Sequence, residues 1–129
     1  MSWLPRLAAL ALLPLFAVPA ASPASAAPIG DAMKGKKIFI RCLMCHTVQP
    51  GMNKLGPSLA GVVGRKAGAA PGFAYSPAMK ASKVVWTPQL LDRFLARPSA
   101  AVPGNKMVFA GLPNPADRAN LIAYLKAPK

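Results

Sequence analysis

The chain has 129 residues, enough for one small domain, and a 53% hydrophobic content excludes a disordered protein. Sixteen Lys and Arg residues against three acidic residues give a net charge of +13 at pH 7. This charge favours acidic protein surfaces or anionic lipid, or only keeps the protein soluble. Nucleic acid is excluded as a partner because the basic residues are scattered and are not interleaved with aromatic ones.

The first 26 residues are predicted to form a cleaved secretory signal peptide. Arg6 supplies a positive charge, residues 7–18 form an apolar run, and residues 24–26 form an A-x-A-like cleavage site. The run is too short to span a membrane and is interrupted by proline. We predict cleavage after Ala26, or alternatively after Ala27, which leaves a periplasmic domain at 27–129 with a net charge of +12, since Arg6 is removed.

The remaining sequence predicts four helices joined by loops rich in Gly and Pro, without a repeat or a strand pair. The first helix is predicted to begin at Asp31, whose carboxylate can cap free amide groups, and to continue to about Cys42. Gly35, Ile38 and Phe39 lie on the same face of this helix as Cys42. We expect this face to pack into the core.

Each of the other three helices is predicted to begin with a capping residue followed by proline. These pairs are Ser76-Pro77, Thr87-Pro88 and Asn114-Pro115. The first of these helices lasts one or two turns, the second reaches about Ala96, and the third reaches about Lys126.

Two long stretches, 47–75 and 98–113, show neither helical nor alternating pattern. Loops of this length in so small a domain indicate that they wrap around something. With only two cysteines, close together, the chain has no disulfide framework to stabilise it. We therefore expect a large apolar cofactor in the core, and no stable fold without it.

The five residues Cys42-Leu43-Met44-Cys45-His46 have the C-x-x-C-H spacing of covalent haem attachment. Two thiols three positions apart can form thioethers to one haem, and the adjacent imidazole then lies under the iron. A thioredoxin-like dithiol would require a preceding strand in a βαβ unit, which the sequence does not show. A zinc site normally needs four ligands, and the chain offers only these three as usual strong ligands.

A second iron ligand has to be something other than histidine, because His46 is the only histidine in the chain. Met107 fits best, since it follows a turn-forming run at 103–106 that could fold the second long loop across the haem. Met44 lies between the tethered cysteines and cannot cross to the other face. Met52 remains the main alternative.

Beyond this motif the sequence resembles the class I cytochromes c, especially the mitochondrial type and its bacterial periplasmic electron-carrier relatives. The resemblance covers about residues 30–126. The matching segments occur in the family's order, at 35–39, 42–46, 56–57, 64–68, 71–75, 86, 103–107 and 121–126.

The resemblance implies an all-α fold, the small cytochrome c fold, with about four helices and long loops wrapped around one haem. The haem would be thioether-linked through Cys42 and Cys45. The implied roles of the remaining site residues are Met107 as distal iron ligand, the Pro57 carbonyl as acceptor from the His46 ring, and Tyr75 and Trp86 beside a haem propionate with Arg65 close by.

The resemblance also implies that Gly35 lets the first and last helices cross closely, with Phe39 packed against Leu121 and Tyr124. Two residues depart from the family pattern. Phe94 stands where many members have a tyrosine, and Met79 stands where an asparagine is common, so both make the haem pocket less polar.

The implied function is that of a soluble, monomeric single-electron carrier and not an enzyme. Its donor would be a cytochrome bc complex or a dehydrogenase, and its acceptor a terminal oxidase or a photosynthetic reaction centre, with at most peripheral membrane contact. The alternative is a ligand-sensing or peroxidase-like haem protein with a labile sixth ligand. Cations around the exposed haem edge are predicted to steer the carrier onto acidic partners, namely Lys54, Lys66, Lys80, Arg97 and Lys106.

Overall fold

A computed structural model of the chain describes residues 28–129, and the predicted signal peptide at 1–26 lies outside these residues. In the described part the helices are α1 (Ala32–Phe39), α2 (Pro77–Ala81), α3 (Pro88–Ala96), α4 (Pro98–Ala101) and α5 (Pro115–Lys126), and a 3₁₀ turn (Ile40–Cys42) follows α1. Across 28–129 the only β pairing is an isolated bridge between Lys66 and Val85, so the predicted all-α class is confirmed. No helix in this range is both long and apolar enough to cross a membrane.

The helices begin where the capping pattern predicts. The Asp31 carboxylate accepts hydrogen bonds from the backbone amides of Met33 and Lys34, at 2.8 and 3.1 Å. Ser76, Thr87 and Asn114 cap α2, α3 and α5 in the same way. These side chains satisfy amide groups that have no partner inside their own helix.

The fourth helix, α4, was not predicted, because residues 98–113 were assigned entirely to a loop. It has only four residues and begins at Pro98 without a side-chain cap, since Arg97 makes no capping hydrogen bond. One turn is too short to display a helical period in the sequence. The prediction for the first helix needs a smaller correction, because its last turn, from Ile40 to Cys42, is 3₁₀ and not α.

The crossing of α1 and α5 forms the base of the core. Gly35 is buried in this crossing, and a Cβ atom there would overlap the carbonyl of Asn120 and lie 2.8 Å from the Cβ of Tyr124. The rings of Phe39 and Tyr124 pack with their centroids 5.4 Å apart, and Leu121 is 1% exposed. The close crossing thus fixes α1, and with it the Cys42 turn, against the last helix.

We expect Gly35→Val to lower the free energy of unfolding by about 3 kcal/mol, because the added side chain must push α1 away from the backbone of α5. Denaturant unfolding of the haem-loaded protein measures this loss. Lys34→Ala, an exposed neighbour in the same helix, is the control and should change stability little. A Gly35→Val protein as stable as the control would show that the crossing can relax.

A group of hydrogen bonds connects α3, α5 and the loop before α5. Arg118 donates from Nε to Asp92 at 2.7 Å, and its Nη1 donates to the carbonyls of Leu112 and Pro113, each at 2.9 Å. The backbone amide of Leu112 also donates to the carbonyl of Leu95 at 2.7 Å. These bonds fix the far end of the loop that carries Met107.

Candidate functional site

A cavity of about 410 Å³ lies among α1, α3, α5 and the two long loops. Most of its lining is apolar, with contributions from Phe39, Leu91 and Leu125. The structure places all eight sequence-predicted site residues on its wall, although they come from six separated positions along the chain. They are Cys42, Cys45, His46, Pro57, Arg65, Tyr75, Trp86 and Met107.

The C-x-x-C-H segment reaches the cavity through a tight turn. The amides of Cys45 and His46 both donate to the carbonyl of Cys42, at 3.1 and 2.8 Å. The turn brings both thiols and the imidazole to one wall, and neither thiol forms a disulfide. Burial raises the pKa of the Cys42 thiol, partly opposed by the charge of Arg41, so this thiol is protonated at neutral pH.

The His46 ring is held in one orientation by the following loop. Its Nδ1 donates to the carbonyl of Pro57 at 2.7 Å. Gly56 packs against the ring so closely that a Cβ there would lie 2.8 Å from each ring nitrogen. Burial lowers the pKa of His46, the bond to Pro57 opposes this shift, and the charge of Lys54 reinforces it. The ring is therefore neutral at pH 7 with a lone pair on Nε2, which is the form that binds a metal.

Met107 reaches the cavity from the loop between α4 and α5. Its backbone amide donates to Oδ1 of Asn105 at 2.9 Å, and its side chain packs against the hydrophobic core. Met79 of α2 is the other methionine on the cavity wall among residues 28–129. Met52, the alternative left open by the sequence, is 50% exposed and does not line the cavity.

Two hydrogen-bond donors of residues on the cavity wall have no acceptor among the described residues. The Arg65 guanidinium donates to the carbonyls of Ala60 and Ser58, at 3.0 and 2.9 Å, but its buried Nε has no acceptor within the described chain. The Tyr75 hydroxyl accepts from the amide of Ala70 at 3.1 Å, which leaves its own hydrogen free to donate. Free donors of this kind, one buried and one half-buried, fit an acidic group such as a haem propionate.

The neighbourhood of α2 and α3 is apolar, as the two departures from the family pattern predict. Phe94 and Met79 are both buried on the cavity wall, and the Phe94 ring packs against Trp86 with centroids 4.8 Å apart. Neither side chain brings a hydroxyl or amide to the cavity. An apolar group with acidic edges fits this site, because the wall is apolar and the donors of Arg65 and Tyr75 are free.

The two rival uses of the cysteines lack their structural context. Between residues 28 and 42, the described part of the chain before the motif's second half, there is no strand of the kind that a thioredoxin-like dithiol would require. In the described part of the chain, no three His, Cys, Asp or Glu side chains converge as they would around zinc. The arrangement fits covalent haem instead, with two thiols, a neutral imidazole and unpaired donors around one cavity.

Three cations line the cavity, Arg41, Arg65 and Lys106, and of the predicted steering residues only Lys106 is among them. Lys106 lines the cavity, donates to the carbonyl of Ala74 and lies 4.8 Å above the Phe73 ring. Arg41, which the sequence reasoning missed, also lines it, and its position directly before Cys42 was the available signal. The other predicted steering residues do not line it, namely Lys54, Lys66, Lys80 and Arg97, although Lys54 donates to the carbonyl of Leu43 within the haem-attachment motif.

Comparisons with a family model, with curated proteins and with solved structures all find cytochromes c. Residues 32–128 match the family model described as Cytochrome c. Cytochrome c2 of Rhodopila globiformis is 49% identical over 104 residues, covering 80% of this chain and 98% of that protein. Cytochrome c2 of Rhodomicrobium vannielii is 52% identical over 103 residues, with coverage of 79% and 82%. The solved structure of cytochrome cH from Methylobacterium extorquens is 47% identical, has a TM-score of 0.73 and covers 75% of this chain and 98% of that one.

Proposed function

Because this chain belongs to the cytochrome c family and so carries one covalently attached haem c, we propose that it is a periplasmic carrier of single electrons. The family resemblance found in the sequence is thereby confirmed. One observation carries the proposal: two thiols, the neutral imidazole of His46 and the thioether of Met107 line the same cavity.

In this proposal four residues hold the cofactor. Cys42 and Cys45 would form the thioethers, and Nε2 of His46 and the sulfur of Met107 would bind the iron. When bound, the haem supplies an iron that alternates between the ferric and ferrous states. Because His46 and Met107 would both bind the iron, a substrate or oxygen would find no free coordination position, so the proposal is a carrier and not an enzyme.

The other site residues would keep the structure around the haem the same in the oxidised and reduced states. Pro57 and Gly56 fix the His46 ring, while the apolar lining that includes Phe94 and Met79 excludes water. Arg65, Tyr75 and Trp86 would hold the propionates, with the buried Nε of Arg65 gaining its missing partner. Little rearrangement is then needed for electron transfer.

A reversible one-electron redox titration with a low-spin c-type spectrum tests this function. Carbon monoxide binding by the ferrous protein at neutral pH, together with peroxide turnover, would instead favour the ligand-sensing or peroxidase-like alternative.

The proposed location is the periplasm, because residues 1–26 have the pattern of a secretory signal and the similar cytochromes c2 come from bacteria. The proposed donor is a cytochrome bc complex or a dehydrogenase, and the proposed acceptor a terminal oxidase or reaction centre. A monomer suits a carrier that must diffuse between them.

We expect the positive charge to steer association, so that electron transfer to the anionic oxidant ferricyanide slows about tenfold between low and high salt. Transfer to a cationic cobalt complex should accelerate over the same range. Stopped-flow rates of haem oxidation at a series of ionic strengths measure both trends.

Charge reversal at the cavity mouth separates local steering from net charge. Arg41→Glu is expected to lower the ferricyanide rate more than Lys126→Glu does, because Arg41 lines the cavity whereas Lys126 lies at the end of α5. Equal effects of the two variants would mean that only the total charge matters. A rate that does not fall with salt would remove steering altogether.

A further inference from the structure

We infer that the Asn105 side chain is the positioning residue that holds Met107 at the cavity. The inference rests on the proposed function, since it assumes that the sulfur of Met107 binds the iron. Asn105 itself lines the cavity and is half-buried.

Three hydrogen bonds use the whole side-chain amide of Asn105. Its Nδ2 donates to the carbonyls of Pro98 and Val102, at 3.0 and 2.8 Å. Its Oδ1 accepts from the backbone amide of Met107 at 2.9 Å. Both donor hydrogens and the acceptor are therefore engaged at once, with α4 on one side and the methionine on the other.

The residues of α4 and its C-terminal end to which the Asn105 side chain donates are firmly packed. Pro98 and Val102 are both buried, and the Val102 amide closes the single turn of α4 by donating to the Pro98 carbonyl at 3.0 Å. The amide of Asn105 also donates to the Val102 carbonyl, at 3.1 Å. Asn105 is thus attached to a fixed support by its backbone and its side chain.

Beyond Asn105, the loop makes few hydrogen bonds to the rest of the fold near the methionine. The Phe109 amide donates to the Met107 carbonyl at 3.1 Å, but this bond lies within the loop itself. Val108 is fully exposed, and the next backbone bond to α3, from Leu112 to Leu95, lies five residues beyond Met107. Lys106 is restrained through its long side chain, which donates to the carbonyl of Ala74. The short Asn105 side chain therefore provides the most direct restraint on the backbone of Met107.

Loss of this restraint should raise the fraction of molecules in which Met107 has left the iron. An added ligand such as imidazole binds the ferric iron only in that fraction, so its apparent dissociation constant reports the fraction directly. We expect Asn105→Leu, similar in size but unable to hydrogen bond, to tighten imidazole binding about tenfold. Asn105→Asp keeps the acceptor for Met107 but loses both donors to α4, so it should tighten binding in the same direction.

Asn53 provides a matched control on another loop. Its Nδ2 donates to the carbonyl of Pro71 and its Oδ1 accepts from the amide of Ser58, both at 2.9 Å. Asn53→Leu therefore also removes two loop-fixing bonds and should lower the melting temperature. We expect its imidazole affinity to stay close to that of the wild type.

Imidazole titrations of the haem-loaded proteins, followed by absorption at several concentrations, distinguish the outcomes. Equal tightening in the Asn105→Leu and Asn53→Leu proteins would overturn the inference, because both would then act through general stability. If Asn105→Leu does not fold, Asn105→Asp decides on the same criterion. A wild-type protein without a sulfur-to-iron band would contradict the proposed Met107 ligand, which is a separate failure from that of Asn105.

Discussion

Met107→Ala is expected to abolish the weak far-red absorption band that a methionine sulfur gives when bound to ferric haem iron. The variant leaves no thioether on the loop between α4 and α5 within reach of the cavity. It should also have a lower reduction potential, because a methionine ligand raises the potential of c-type haem. Carbon monoxide should then bind the ferrous variant at neutral pH, while the wild type stays closed to it.

Met79→Leu is the matched control for this experiment. Met79 is the second methionine on the cavity wall among the described residues, is buried and comes from a different element, α2. We expect the sulfur band to persist in Met79→Leu, since leucine replaces a packing side chain of similar volume. A band that persists in Met107→Ala and disappears in Met79→Leu would show that Met79 binds the iron and that the assignment of Met107 is wrong.

The helix starts could be predicted because their causes are local in the sequence. A capping side chain followed by proline satisfies the free amides within a few residues, as at Thr87 and Asn114, whatever the rest of the fold does. The single turn of α4 has a different origin. It is stabilised by Asn105, seven residues beyond Pro98, and by burial in the core, neither of which is visible in a local pattern.

The candidate site also has a part that the sequence predicts and a part that it does not. Cys42, Cys45 and His46 lie within five consecutive residues, so one motif is enough to predict haem attachment. The unpaired Nε of Arg65 and the three hydrogen bonds of the Asn105 side chain depend on which loops meet around the cavity. No pattern of residue types carries that information.

The distribution of charge was the least predictable feature. Fifteen basic residues remain after Arg6, and their order along the chain does not say which of them face the cavity mouth. The structure places Arg41, Arg65 and Lys106 on the cavity wall, Arg41 through the 3₁₀ turn and Lys106 through the loop that carries Met107. Lys66, Lys80 and Arg97 are exposed and do not line the cavity.

Replacement of both Cys42 and Cys45 by alanine is expected to prevent covalent haem attachment and leave the chain largely unfolded. The haem would occupy the cavity of about 410 Å³, whose wall includes the core residues Phe39, Leu91 and Leu121. Without haem, the apolar side chains on this wall would face water and lose their packing partner, a loss comparable to the stability of an ordinary domain, which is on the order of 10 kcal/mol. The remaining contacts between α1 and α5 cannot offset a loss of that size.

Far-UV circular dichroism and acid-acetone extraction of haem measure the two parts of this prediction. The double variant should lose more than about half of its helical signal, and no haem should stay with the protein after extraction. Met44→Ala is the control, because Met44 lies between the two cysteines but is 81% exposed and should leave attachment and helicity unchanged. A double variant that keeps its helical signal without haem would mean that the helices hold one another in place, and the cavity would then be a preformed site and not a gap in the core.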